Sequence, residues 1–196
     1  ATGSLGRPGR VFATVRATDG KVGGAASFQA EPSGQIVLPL DLSTLKSGVF
    51  TISFWLRPQD RAAPYGTCVD AGGAKGFVIR VTSNDRLAFG AGGVWNAAAT
   101  PETLLPGAWV HVAFSYDGAR FRLYLSGAEV GSHAPEIPPV FPAALQLGSV
   151  VERLQLPDGT KDDAMMKPLP GDLDELAVFD RVLTPAELAA LAKSAR

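Results

Sequence analysis

The sequence of 196 residues is poor in the side chains that most often carry nucleophilic or metal chemistry: it has one cysteine, Cys68, and two histidines, His111 and His133. One cysteine excludes an internal disulfide, and a reactive thiol would need a positioned base, which the two imidazoles alone could supply. Cys68 lies between Thr67 and Val69 in a strand-like run. We therefore predict that it is a small, buried, unreactive side chain.

An excess of charge of either sign is also lacking. Lys and Arg number 18 against 19 Asp and Glu, and the basic residues form no run. Nucleic acids and anionic membrane surfaces are usually bound by a basic patch, so we expect neither as a partner. No run approaches the roughly 18 apolar residues of a membrane helix, so we expect no membrane insertion. A glycan or a surface protein fits this charge balance better.

Helical periodicity is missing from most of the chain, which alternates instead between short apolar runs and turns rich in its 22 glycines and 15 prolines. In residues 49–58, VFTISFWLRP, every second side chain is apolar and large, as in a strand with one buried face. Asp117-Gly118 and Ser126-Gly127 separate three such runs between Trp109 and His133, which predicts a three-stranded meander. Strands this short and frequent predict an all-β sandwich or jelly roll.

A helix is predicted only near the C-terminus. Thr184 is a suitable N-cap, Pro185 suits the first helical position, and Glu187 stands three residues after the cap. Leu188, Leu191 and Ala192 would form its inner stripe. Residues 156–170 are predicted to be a long loop. We expect a flexible segment over residues 1–10 and a single domain over residues 11–196.

Three segments in a fixed order carry a family resemblance: residues 49–58, residues 109–130 (WVHVAFSYDGARFRLYLSGAEV) and residues 171–191 (GDLDELAVFDRVLTPAELAAL), with LQLGS (145–149) ahead of the third. Together they resemble the laminin G-like, concanavalin A-like lectin/glucanase superfamily, and most of all its bacterial, pentraxin-like branch. The resemblance implies a two-sheet antiparallel jelly-roll sandwich with a short C-terminal helix. It also implies a non-catalytic binding module in an extracellular or cell-envelope protein.

Three functions stay open at this point. The leading one is binding of a carbohydrate or a protein partner, and the second is a structural or assembly domain of a larger surface protein without a small ligand. The third is a glycoside-active enzyme, since glucanases that resemble this family carry an E-x-D-x-x-E cluster on one strand. The nearest string, Gly171 to Leu176, lacks the leading Glu and lies in the terminal strand. We therefore predict no enzyme and no catalytic residues.

The acidic string also has a calcium interpretation, which comes from the resemblance. In many relatives the Asp of a D-E pair approaches an early loop that supplies further oxygen ligands, and Asp174 matches that position. Gln29 and Glu31 stand where relatives usually show an acidic residue. The expectation is a structural Ca²⁺ held by Asp174, Gln29 and Glu31. The alternative is that Asp174 and Glu175 accept hydrogen bonds from backbone groups or Arg at a strand start.

The candidate ligand-binding residues are aromatic and polar side chains near loops. Trp95 and Tyr65 are the stacking candidates, with Asn96 and Asp70 as polar partners and Arg80 nearby in sequence. The alternative for Trp95 is packing over one end of the sandwich. Trp55 and Trp109 are expected in the core. The resemblance makes His111 a structural residue, hydrogen-bonded to a nearby backbone group.

Overall fold

The computed structural model describes residues 9–13, 15–29, 33–45, 48–59, 66–155, 161–166 and 168–194. These residues form two seven-stranded sheets, a separate two-stranded hairpin and one α-helix, and the strands within each sheet pair antiparallel. The predicted all-β jelly-roll sandwich is therefore confirmed. None of the described helices is long and apolar enough to cross a membrane.

The two sheets are here called sheet I and sheet II. Sheet I contains, in spatial order, β1 (Arg10–Ala13), β4 (Gly34–Leu38), β13 (Leu145–Leu147), β6 (Gly66–Ala71), β7 (Phe77–Val81), β8 (Leu87–Ala91) and β9 (Val94–Ala99). Sheet II contains, in spatial order, β12 (Ala128–His133), β11 (Phe121–Leu125), β10 (Val110–Tyr116), β5 (Phe50–Pro58), β16 (Gly171–Phe179), β3 (Gly24–Phe28) and β2 (Arg16–Asp19). The hairpin pairs β14 (Val150–Gln155) with β15 (Lys161–Met166), and the helix is α1 (Pro185–Ser194). Short 3-10 helices span Leu42–Thr44 and Gly73–Lys75.

The core lies between the two sheets and follows from the strand alternation. The side chains that β5 was predicted to bury are inaccessible to solvent: Phe50, Ile52, Phe54 and Leu56. Phenylalanine rings from both sheets meet there, with the centroid of Phe77 lying 4.9 Å from that of Phe114. Burying one such side chain contributes about 1.5–3 kcal/mol, so this layer is the main source of stability. Cys68 is inaccessible within it, as predicted.

The meander of β10, β11 and β12 forms as the sequence predicts. Asp117 accepts hydrogen bonds from the backbone N–H groups of Ala119 and Arg120, which shapes the first turn. Ser126 and Gly127 both have positive φ, 48° and 88°, which a two-residue hairpin turn of type I′ requires. These short-range signals therefore set the register of three of the seven strands of sheet II.

Helix α1 begins with the predicted capping box. The Thr184 N–H donates to Glu187 Oε2 at 2.8 Å, and the Glu187 N–H donates to Thr184 Oγ1 at 3.3 Å. Leu188 is fully buried and Leu191 packs beside it, against Ala113 and Tyr124 on the outer face of sheet II. Helix α1 therefore covers the side of sheet II that faces away from sheet I.

Two expectations change when the strands are placed. The loop predicted over residues 156–170 is wrong, because Lys161–Met166 pair as β15 with β14. An Asp158-Gly159 step stands between the two strands in the sequence and is the signal that predicts such a hairpin. The boundary at residue 10 stays a prediction: residues 1–8 lie outside the described residues, and Arg10 begins β1.

Candidate functional site

The candidate site is on the outer face of sheet I, where β6, β7 and β9 place polar side chains. Val69 and Ile79 belong to the core, so the alternating positions Asp70 and Arg80 project from the opposite face. Both side chains are nevertheless almost inaccessible, at 3% for Asp70 and 5% for Arg80. Buried charged groups need fixed partners, and these two have them in the loop and strand above.

Arg80 holds the start of β9. Its Nη2 donates to the carbonyl oxygen of Trp95 at 2.6 Å and to Asn96 Oδ1 at 2.7 Å. The guanidinium carbon also lies 5.5 Å from the centroid of the Trp95 ring, within cation–π range. The ladder between β8 and β9 is irregular at Gly90, where a Cβ atom would lie 2.6 Å from the Trp95 carbonyl oxygen. Glycine at this position lets β9 approach closely enough for Arg80 to bind it.

Asp70 shapes the turn against which the Trp95 ring rests. Its carboxylate accepts hydrogen bonds from the N–H groups of Gly72, at 3.0 Å, and Gly73, at 3.2 Å. Both glycines have positive φ, 90° and 58°, a conformation that other residues rarely adopt. A Cβ atom on Gly73 would lie 3.3 Å from Trp95 Cη2. Asp70 therefore acts on Trp95 through the backbone of this turn.

The structure brings together three of the four predicted ligand-binding residues. Trp95 is 48% exposed and Asn96 is exposed beside it, whereas Asp70 is buried and bonded to the Gly73 turn on which the Trp95 ring rests. Tyr65, the fourth, lies outside the described residues. Trp95 belongs to β9, and its exposed ring rests against the turn at Gly73. Its indole therefore forms a surface whose position is set by buried polar groups.

An apolar ridge extends this surface, and we use that name for Trp95, Ile137 and Val140, all of them exposed. Ile137 belongs to the loop between β12 and β13, and its Cδ1 lies 3.4 Å from the Cβ position of Gly93. Val140 follows it and donates its N–H to the Lys75 carbonyl at 3.0 Å. Sequence reasoning missed Ile137 and Val140. The signal was the stretch APEIPPVFP (134–142), which places large apolar residues between prolines.

The acidic residues of β16 have structural partners. Asp172 is 1% exposed and its Oδ2 lies 2.7 Å from Arg57 Nε. Asp174 accepts hydrogen bonds from the N–H groups of Val22, at 2.9 Å, and Glu175, at 2.8 Å. Asp174 thus closes the turn between β2 and β3, and Asp172 neutralises an arginine on the neighbouring strand. For Asp174, hydrogen bonding to backbone groups at a strand is the arrangement seen.

The residues predicted to bind calcium do not form a ligand set in the described part of the chain. The register pairs Gly171 with Phe28 and Leu173 with Ala26, so Asp174 and Gln29 lie at opposite ends of this ladder, on the order of 13 Å apart along the strand. Glu31 lies outside the described residues. Nowhere among the described residues are three His, Cys, Asp or Glu side chains grouped to hold a metal ion. Calcium stays a prediction that this geometry does not favour.

His111 is buried on the outer face of sheet II, and its ring Nε2 lies 2.9 Å from Ser53 Oγ. The predicted backbone partner is therefore wrong, since a hydroxyl group on β5 takes that place. Nδ1 has no hydrogen-bond partner among the described residues, and burial lowers the pKa of this imidazole below 6.5. His111 and Ser53 are 1% and 4% exposed, so the pair offers no surface to a substrate.

Of the two tryptophans expected in the core, one is buried and the other is not. Trp55 is buried, but on the outer face of sheet II, with its ring centroid 5.3 Å from that of His111 and Lys21 Nζ 5.0 Å above it. Trp109 precedes β10, is half-buried, and carries the Arg57 guanidinium 4.6 Å from its ring centroid. The core prediction is therefore wrong for Trp109. Both rings pack against cations at the side of the sheet away from sheet I.

Two antiparallel seven-stranded sheets with one covering helix define a jelly-roll β-sandwich of the lectin-like class. Residues 30–189 match the family model described as the concanavalin A-like lectin/glucanases superfamily. The chain belongs to this superfamily, as the three sequence segments indicated.

Solved structures and one curated protein show further similarity. Domain 4 of AbnA, an extracellular GH43 arabinanase from Geobacillus stearothermophilus solved with arabinotriose, is 26% identical, with a TM-score of 0.70 over 97% of this chain and 92% of that one. The binding domain of botulinum neurotoxin DC, solved with rat synaptotagmin II, shares the fold at 14% identity and a TM-score of 0.70. This chain spans 48% of that structure. Mouse (Mus musculus) pappalysin-1 is 46% identical over 37 residues, which are 19% of this chain and 2% of that protein.

Proposed function

We propose that this domain is a non-catalytic carbohydrate-binding module and that the exposed ring of Trp95 is the platform on which a sugar stacks. The observation that carries the proposal is a large aromatic side chain, 48% exposed, whose backbone and ring are held from below. A solvated aromatic ring loses little conformational freedom on binding when its rotamer is already fixed. Asn96, exposed beside it, offers an amide to sugar hydroxyl groups.

Three further observations support this function. The arabinanase domain, similar over 97% of this chain, was solved with a bound arabinose trisaccharide. The carboxylates that could act as a catalytic pair, Asp172 and Asp174, are engaged by Arg57 and by backbone amides. That domain also comes from an extracellular enzyme, which supports an extracellular or cell-envelope location for this one.

The test is a glycan array probed with the wild-type chain and with Trp95→Ala. Truncating a stacked aromatic ring removes an apolar contact worth about 1.5–3 kcal/mol, so affinity should fall by roughly tenfold or more. Leu105→Ala is the matched control, because Leu105 is also exposed, at 71%, but does not belong to the apolar ridge. Wild-type affinity in the Trp95 variant would contradict the proposal.

A second candidate is a structural or assembly domain, and the apolar ridge is the observation that favours it, since contiguous exposed apolar side chains often mark protein contacts. Failure of the wild-type chain to bind any arrayed glycan would favour this candidate over carbohydrate binding.

A further inference from the structure

We infer that the apolar ridge binds a neutral polysaccharide as an extended chain, with one sugar on Trp95 and neighbouring sugars on Ile137 and Val140. This inference rests on the proposed carbohydrate-binding function and specifies its ligand. It excludes single terminal sugars and acidic glycans as the main ligands.

The apolar ridge is longer than a single sugar. Ile137 lies against the turn that follows β8, and Val140 lies against the turn that follows β6. Strands β6 and β8 are separated by β7, so these turns leave the sheet about 10 Å apart. Trp95 belongs to β9, beside the turn that follows β8, and its ring lies against Gly73 in the turn that follows β6. Ile137 and Val140 therefore adjoin the two turns that the indole spans, and a single sugar stacked on the indole could not contact both.

Among the described residues, the surface around the apolar ridge has no excess of charge of either sign. Two charged side chains are exposed on the segments that carry the ridge or contact it. They are Lys75, in the turn after β6, and Glu136, beside Ile137, and they have opposite signs. Arg80 contributes little attraction at the surface, because its guanidinium group is buried and bonded to Trp95 and Asn96. Sites for anionic ligands carry an excess of basic groups, which is not the pattern here. The charges of Lys75 and Glu136 cancel in sum, so the described surface of the ridge offers no excess charge to attract an ionic ligand.

The ridge side chains other than Trp95 are purely apolar. Ile137 and Val140 have no side-chain donors or acceptors, so they can contact only the C–H faces of sugars. Each such contact is weak, and affinity should grow as more sugars are added along the ridge. Asn96, at the polar edge, would orient one sugar by hydrogen bonding. Chain length is therefore the property that this surface selects.

The experiment is titration calorimetry of the wild-type chain with neutral oligosaccharides of arabinan, xylan, mannan and β-glucan, each from monosaccharide to hexasaccharide. Heparin and polygalacturonate fragments are the acidic comparison. For the neutral series that binds, affinity should rise roughly tenfold or more between the monosaccharide and the tetrasaccharide, and added NaCl should leave it unchanged. Equal affinity for both lengths, preference for an acidic series, or strong salt dependence would overturn the inference.

Variants separate this inference from the proposed function. The double variant Ile137→Ala/Val140→Ala should lower tetrasaccharide affinity about fivefold to tenfold and leave monosaccharide affinity unchanged. Trp95→Ala should lower both, and Leu105→Ala should lower neither. If only the Trp95 variant has an effect, the extended-chain inference fails and carbohydrate binding stands. If the wild-type chain binds no oligosaccharide of any length, both fail.

Discussion

At the scale of single residues, the same side-chain type serves different purposes two positions apart on one strand. Asp172 neutralises an arginine, and Asp174 ties a backbone turn to sheet II. Asp70, on sheet I, fixes the glycine turn beneath Trp95 in a similar way. A carboxylate whose oxygen atoms accept hydrogen bonds from several fixed N–H groups is part of the scaffold. All three of these carboxylates are bound in this way.

Asp174 gives a prediction that separates backbone anchoring from metal binding. Asp174→Asn keeps one carbonyl acceptor for two backbone N–H groups, so the free energy of unfolding should fall by about 1–3 kcal/mol. EDTA should leave the Tm of the wild-type chain unchanged. Calorimetric melting of both proteins, with and without EDTA, measures these effects, and Asp180→Asn at an exposed position is the control. A clear drop in the wild-type Tm with EDTA would instead indicate a bound structural metal ion.

His111 gives a prediction about pH. Its pKa is lowered in the folded protein by burial, so near and below pH 6.5 the unfolded state binds more protons at this residue than the folded state. The free energy of unfolding should therefore decrease as the pH falls from 6.5 through the lowered pKa, and this contribution should be constant above 6.5. Urea unfolding over this range measures the slope. In His111→Gln the slope should be smaller, and an unchanged slope would contradict the assignment to His111.

At the scale of secondary-structure elements, the helix and the meander follow from local rules. Helix α1 has a reciprocal cap, and Arg181 adds an ion pair to the cap residue Glu187, with Nη2 lying 2.6 Å from Oε1. This pairing, together with the hydrogen bonds from Thr184, lowers the pKa of Glu187 to about 2. The cap is therefore expected to persist in moderate acid and to be lost as the pH falls through that value.

Replacing the N-cap residue, Thr184→Ala, tests how much the cap stabilises helix α1. Loss of the hydroxyl removes the acceptor for the Glu187 N–H, and the free energy of unfolding should decrease by about 1 kcal/mol. Thr184→Ser should retain most of this stability because it keeps the hydroxyl, which makes it the matched control. Chemical denaturation of the three proteins gives the values. Equal stability of the alanine variant and the wild type would show that the cap does not hold the helix.

The elements that sequence reasoning missed depend on partners distant along the chain. Residues 161–166, KDDAMM, lack the β-branched and aromatic residues typical of strands, and their extended form depends on pairing with β14. Trp95, Asn96 and Asp70 were recognisable as polar and aromatic candidates, but their convergence depends on the irregular ladder at Gly90 and on Arg80. By contrast, the alternation of side chains along β5 was enough to predict which of them are buried, because this pattern lies within one strand and needs no distant partner.

At the scale of the whole molecule, the hairpin of β14 and β15 is separate from both seven-stranded sheets. Its two ends adjoin, because the Leu169 N–H donates to the Gly148 carbonyl at 2.6 Å. Replacing residues 151–166 with a short Gly-Ser turn should therefore preserve the sandwich, since the ends need little closure. Circular dichroism and the Tm test this, with a scrambled hairpin of equal length as the control. Loss of cooperative melting in the deletion variant would contradict it.

The position of β16 between β5 and β3 has a consequence for how the protein is made. The middle of sheet II cannot be completed before residues 171–179 leave the ribosome, although β3 and β5 are synthesised long before. Until then β5 and β3 each have an unpaired edge, and the growing polypeptide exposes the apolar side chains that they later bury. Pairings this distant along the chain are slow to form, and unpaired edges invite aggregation. Completion of sheet II therefore waits for residues 171–179, and we expect any chain that terminates before residue 171 to expose unpaired strands to chaperones and proteases.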